Sequence, residues 1–328
     1  MTKQESHRFS CGSVKVSYLV TILTFFILIT IPSNLLAEGT EEMHPKKVIF
    51  ETDMCTDVDD VGALAMLHTL ADDGEVEILA VSFNEVHPNG AGAICAINTW
   101  YNRGDIPIGI YKGNLTDPDE SRYLDSIAAN FEHDLPTLPT PSSLELYLQV
   151  LSEQPDNSVT IISVGFLNNL YDLLKANPDL VARKVTELVV MARVIDDPYN
   201  TFRHNLVDTS AYVIRNWPTP LVISQHGESV HTGTRLEETP AENPVREAYY
   251  QWFNGQYKGR SSWDQLAVLY GVRGLSDYFT EVTEGKGRLS NGYEWEMKPD
   301  FRSYLKVRLS DSEFVRIVED LMIQPPRR

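Results

Sequence analysis

The sequence predicts an α/β protein built on a single open, mostly parallel sheet with helices on both faces. Two observations predict it. From Lys46 onward, short β-rich apolar runs alternate with helical patterns, the order in which crossover units build a parallel sheet. Several of the runs are nearly continuous in apolar character, as in Val48-Ile49-Phe50, which is what strands covered on both faces require. Strands are expected at 48–50, 76–83, 106–111, 159–164, 188–192 and 221–224. Helices are expected between and after them, at 61–70, 90–101, 142–154, 167–176, 209–216, 245–254 and 262–272. Residues 279–309 read differently, with glycines and aromatics spaced as in hairpins. Ser310-x-x-Glu313 then forms a capping box that opens a last helix at 312–322.

Composition bounds what such a fold can do. The chain has 328 residues, 42% of them hydrophobic and 10% aromatic, enough for a sizeable core and unlike a disordered acidic tail. Its formal net charge of −18 repels nucleic acid and anionic membrane surfaces, so a cation or a neutral small molecule is the expected partner. Three cysteines, Cys11, Cys55 and Cys95, are too few for a disulfide framework or a zinc cluster. A bridge between Cys55 and Cys95 does not follow from their spacing.

The first 37 residues read as a leader. Lys3, Arg8 and Lys15 precede an uncharged run through Leu19–Ile29, and Leu35-Leu36-Ala37 suits cleavage before Glu38. The expected organisation is therefore 1–37 as signal peptide and 38–328 as one domain, secreted or periplasmic. An uncleaved anchor is the alternative, and a membrane is a partner only in that case. The sequence is compatible with a homo-oligomer.

The chemistry concentrates after the first strand. Glu51-Thr52-Asp53-Met54-Cys55-Thr56-Asp57-Val58-Asp59-Asp60 crowds five carboxylates between a buried strand and a helix N-terminus. A helix end stabilises one or two acids, but it cannot satisfy four aspartates that repel one another. A hard divalent cation, calcium or magnesium, does so. The spacing lacks the glycine and terminal glutamate of an EF-hand. Glu51 also stands where a haloacid-dehalogenase phosphatase needs its nucleophilic aspartate.

This run resembles the signature of the inosine-uridine preferring nucleoside hydrolase family, with two residues inserted. Further resemblances follow in the family's order: Val81-Ser82-Phe83-Asn84, Val164-Gly165-Phe166-Leu167-Asn168-Asn169, Asn205-Leu206-Val207-Asp208, and Ser262-Trp263-Asp264-Gln265-Leu266-Ala267. The resemblance implies a nucleoside hydrolase-like domain that cleaves the N-glycosidic bond of ribonucleosides or a related N-riboside with the help of Ca2+. By position it assigns Asp53 as calcium ligand and water-activating base, and Asp60, Asp264 and the Val164 carbonyl as further ligands. Asp59, Asn84, Asn205 and Asp264 would hold the ribose hydroxyls, with Asp57 exchangeable for Asp59. Such chemistry passes through an oxocarbenium-like centre that nearby carboxylates stabilise.

Two departures from the family pattern stand out. Trp263 occupies the place where the family often has a histidine that protonates the leaving base. Arg203-His204-Asn205 stands where a Glu-x-Asn pair is expected, and Asn205 lies one residue too close to Asp208. His204, in the loop 193–205, is a candidate replacement acid; His226 and His231 are weaker ones. Trp263 is suited to stacking on a base. The rival reading is a non-catalytic calcium-stabilised nucleoside- or sugar-binding protein, which would not need the base Asp53.

Overall fold

The computed structural model describes residues 44–133, 135 and 139–327. The expected leader, with Cys11, lies outside the described residues. Among the described residues no helix is long and apolar enough to cross a membrane.

Strand β1 (Lys46–Thr52) shows how the core is divided. Val48 and Phe50 enter one apolar cluster and Ile49 the other, as the two-residue period of a strand dictates. From β1 the chain passes through α1 (Asp59–Asp72) to β2 (Val76–Phe83) and through α2 (Gly90–Trp100) to β3 (Ile108–Ile110). It then crosses, by α3 (Leu124–Asn130) and α4 (Ser143–Glu153), to β4 (Val159–Ser163) on the opposite side of β1. Helices α5 (Asn168–Ala176) and α6 (Pro178–Lys184) lead to β5 (Val185–Met191), and α7 (Val207–Asn216) leads to β6 (Leu221–Ser224). A short ladder, β7 (His231–Thr232) with β8 (Arg260–Ser261), brackets α8 (Pro244–Trp252) and is followed by α9 (Trp263–Arg273). The remainder is β9 (Phe279–Val282), β10 (Lys286–Arg288), β11 (Glu294–Glu296), β12 (Arg302–Val307) and α10 (Asp311–Met322).

The main sheet has eight strands in the order β3-β2-β1-β4-β5-β6-β12-β9, parallel except for β9. Helices α1, α2, α8, α9 and α10 cover one face, and α4, α5, α6 and α7 the other. The expected open α/β sheet is therefore present. The stretch 279–309 only partly matches its hairpin reading: β10 and β11 do form a hairpin, but β12 enters the main sheet beside β6. Its Arg302 is fully buried, and its guanidinium donates to the carbonyls of Ile214 and Trp217 at the end of α7. Those are carbonyls that a helix C-terminus leaves without partners. Cys55 and Cys95 are both buried, and no disulfide joins them.

Sheet order reverses between β1 and β4, where the chain leaves first to one side and then to the other. The crevice beyond the carboxyl ends of these two strands is where such sheets bind ligands. Two glycines let elements close in there. A Cβ on Gly62 of α1 would lie 2.5 Å from Gln265 Nε2 of α9 and 2.5 Å from the Tyr249 hydroxyl. A Cβ on Gly165, after β4, would lie 2.6 Å from the Asp53 amide nitrogen.

Candidate active site

The acidic run ends β1 and starts α1, so its side chains fan out over the crevice. Asp59 and Asp60 occupy the first turn of α1, and Asp264 the first turn of α9. Because α1 packs directly against α9, the two helix N-termini converge. One oxygen from each of Asp59, Asp60 and Asp264 lies within 4.8 Å of the others, and all three residues are buried. Asp53 lines the same cavity, whose volume is about 370 Å³, together with Asp57, Asn200, Tyr199, Arg193, Arg260 and Trp263.

The electrostatics are those of a site prepared for positive charge. Like charges about 4 Å apart repel by about 4 kcal/mol at an effective dielectric near 20. Burial first, and then the charges of Asp60, Glu85 and Asp119, holds Asp53 well above the usual carboxylate range. Burial, Asp57 and Asp60 do the same to Asp59. Asp264 is raised by burial and by Asp59, Asp60 and Asp53. Burial pushes Asp60 up to about 7, against a short hydrogen bond donated by the Thr52 hydroxyl. Asp264 Oδ1 is buried without any hydrogen-bond partner. An orphaned carboxylate oxygen among two other buried carboxylates fits a hard cation, since oxygen donors are what calcium and magnesium take.

Asp57 differs from its neighbours. Arg260 holds it through Nε at 2.7 Å and through a second, shorter Nη2 contact, and its Oδ1 accepts from the Val58 amide at 2.8 Å. Glu51 is also set apart: Tyr147 and Ser163 donate to its carboxyl group at 2.8 and 2.9 Å, and burial raises it to about 8.

The remaining expected residues lie at differing distances from the cavity. Val164, just after β4, is buried outside the cavity lining, and its carbonyl accepts from Asn200 Nδ2 at 2.6 Å. Asn84 is buried, donates to the Phe166 carbonyl at 2.7 Å, and keeps Oδ1 without a partner. Trp263 lines the cavity beside Asp264. Asn205 is exposed, with a left-handed φ of 60°, and does not line the cavity. His204 is buried and sits edge-on to Phe166. Its Nδ1 is 2.8 Å from the Thr116 carbonyl and its Nε2 is 3.2 Å from Glu85 Oε2. It does not line the cavity either, and His226 and His231 are likewise absent from the wall.

His204, Glu85 and Asp119 form a second acidic group. Its charges are already matched, because Asp119 pairs with Arg203 and accepts from the Tyr199 hydroxyl at 3.1 Å. This group ties the segment around Asp119 to the loop 193–205 and leaves the first group as the one in want of a cation.

Sequence reading missed Asn200, whose Nδ2 bridges the Val164 and Met191 carbonyls while its buried Oδ1 has no partner. It also missed Asp197, whose carboxylate accepts from the amides of Arg193, Tyr199 and Thr201 and so shapes the loop. The Asp197-Pro198 turn was the available signal.

No family model and no curated protein matches the chain. Solved structures do. An inosine-guanosine nucleoside hydrolase superposes with a TM-score of 0.65 at 16% identity, covering 85% of this chain and 98% of its own. A purine-preferring ribonucleoside hydrolase from Gardnerella vaginalis gives 0.62 at 14% identity, covering 84% and 99%. The type III effector protein XopQ, complexed with adenosine diphosphate ribose, gives 0.65 at 13% identity, covering 86% and 95%. The chain thus has the fold of the nucleoside hydrolases.

Proposed function

We propose that this chain is a calcium-dependent hydrolase of the N-glycosidic bond of ribonucleosides or a related N-riboside. The observation that carries the proposal is the convergence of buried Asp59, Asp60 and Asp264 with Asp53 in one cavity at the switch point of a nucleoside hydrolase fold. Asp53, Asp60, Asp264 and the Val164 carbonyl would hold the ion. When bound, calcium supplies the charge that balances the acids, orients the ribose diol and lowers the pKa of the attacking water. Calcium is favoured over magnesium because it accepts six to eight oxygens in loose geometry, and this wall offers several carboxylates and room for substrate hydroxyls.

The chain's own residues do the rest. Asp53 takes the proton of the water whose oxygen attacks C1′. Asp59 and the free Oδ1 of Asn200 accept from the ribose hydroxyls, and the surrounding carboxylates stabilise the positive charge that develops on the sugar. Asp57 is committed to Arg260, which supports Asp59 as the sugar ligand. Lys3, Arg8 and Lys15 ahead of the uncharged run support export as the route of this hydrolase.

The rival, a calcium-stabilised binder without catalysis, draws its support from a cavity wall without histidine. Incubating the protein with a nucleoside panel and adenosine diphosphate ribose, with and without EGTA, and measuring reducing sugar separates the two. Release that EGTA abolishes and calcium restores is the expected result. Binding without release from any member decides for the binder.

A further inference from the structure

Cleaving an N-riboside leaves an electron pair on the departing base nitrogen, and something must meet that charge. Histidine is absent from the wall, and among the described residues lining the cavity the cations are Arg193 and Arg260. Arg260 is engaged at both Nε and Nη2 by Asp57. Arg193 is free to be recruited. Its backbone amide is pinned to Asp197 at 3.1 Å, but its side chain is 47% exposed and its ion pair with Glu228, at 3.5 Å, is loose and single-toothed. The guanidinium lies over the Trp263 ring, 5.6 Å from its centroid, and Trp263 adjoins Asp264 on α9. With the sugar held on the buried acids, a base attached to C1′ reaches outward toward this Arg193–Trp263 pair.

Resting on the hydrolase reading above, we propose that Arg193 is the leaving-group catalyst: its guanidinium pairs with the departing base as the C1′–N bond breaks. Arginine stays charged at any working pH, so it acts by charge and hydrogen bonding and not by giving up a proton. The balance is complete. The C1′–N electrons go to the base nitrogen, the water oxygen bonds to C1′, its proton goes to Asp53, and the base anion is protonated from solvent. Trp263 supplies the face against which guanidinium and base align.

The test compares Arg193→Gln and Arg193→Lys with the unaltered chain on inosine, uridine and 4-nitrophenyl β-D-ribofuranoside, whose phenolate leaves without help. For Arg193→Gln the ratio of nucleoside kcat to nitrophenyl riboside kcat falls about 100-fold, the size of losing one preorganised charge-stabilising donor. Arg193→Lys keeps a larger share of the ratio because it keeps the charge. Equal losses on all substrates, or an unchanged ratio, overturn the assignment. If the unaltered chain cleaves the nitrophenyl riboside but no nucleoside, Arg193 fails as leaving-group catalyst while the hydrolytic site stands. If it cleaves none of the three, the hydrolase reading fails and the assignment with it. Arg193 is half exposed, so near-native thermal melting of both variants is expected and is measured alongside.

Discussion

Arg260 grips Asp57 with two nitrogens, and this pairing divides the acidic run in two: Asp57 is paired with a cation, while Asp59, two residues further on, faces Asp60 and Asp264. Replacing Arg260 with Gln removes charge-assisted hydrogen bonds from a partly buried carboxylate. We expect a loss of about 2 kcal/mol in urea unfolding with EGTA present. Removing the carboxylate as well, in Asp57→Asn/Arg260→Gln, restores part of it. No recovery in the double variant would show that Arg260 stabilises through its contact with Trp252 instead.

If the proposed site takes calcium, we expect the ion to stabilise the folded chain by mass action, by about 2.7 kcal/mol at a concentration one hundred times the dissociation constant, and so to raise its unfolding temperature. EGTA reverses the rise. In Asp264→Asn, which deprives the orphaned Oδ1 position of its charge, at least a tenfold higher calcium concentration is needed for the same shift. A melting curve indifferent to calcium and EGTA in the unaltered chain rules the site out.

Asp53→Asn removes the carboxylate proposed as the base but keeps its shape. The expected outcome is a fall in kcat on ribonucleosides of about 1000-fold, within the range for a positioned base. Stability without calcium holds or rises, because one buried like charge is gone. Steady-state rates and melting without the ion check both parts; near-full turnover reassigns the base.

His68 predicts the acid limit. It is fully buried in α1, stacked at 4.6 Å on Tyr101 and hydrogen-bonded to Asn98 at 2.9 Å, and burial lowers its pKa from 6.5 to about 3. The folded chain therefore holds His68 neutral while the unfolded chain protonates it. The contribution is whole above pH 6.5 and is lost as pH falls toward 3, at about 1.4 kcal/mol per unit at most. Urea midpoints between pH 6.5 and 4.5 measure the slope, and His68→Gln flattens it. A slope identical in the variant assigns the acid lability elsewhere.

Much of the fold is legible in the sequence because both faces of the sheet are covered. Strand β2 begins at Val76 and ends at Phe83, and β6 spans 221–224, as their apolar runs require. Strand β12 was hidden for a physical reason: Arg302-Ser303-Tyr304-Leu305-Lys306-Val307 mixes polar and apolar residues, and its arginine is buried only because α7 ends above it. At the site, Asp53 to Asp60 stand out because four aspartates crowd one short stretch of sequence. Asp264 is found through the motif around it. Asn200, Asp197 and Arg193 sit on a loop without periodicity, and their roles arise from contacts made only after folding.

Gly62 gives the acidic site an unexpected dependence on the apolar core. With no methyl group there, Gln265 and Tyr249 fill the gap and α1 nestles on α9. The distance between the two helices acts like the opening of a caliper whose jaws are Asp60 and Asp264. The spacing of these carboxylates is thus adjustable from a position that carries none of them, and selection acting on helix packing resets the opening without altering a single acid.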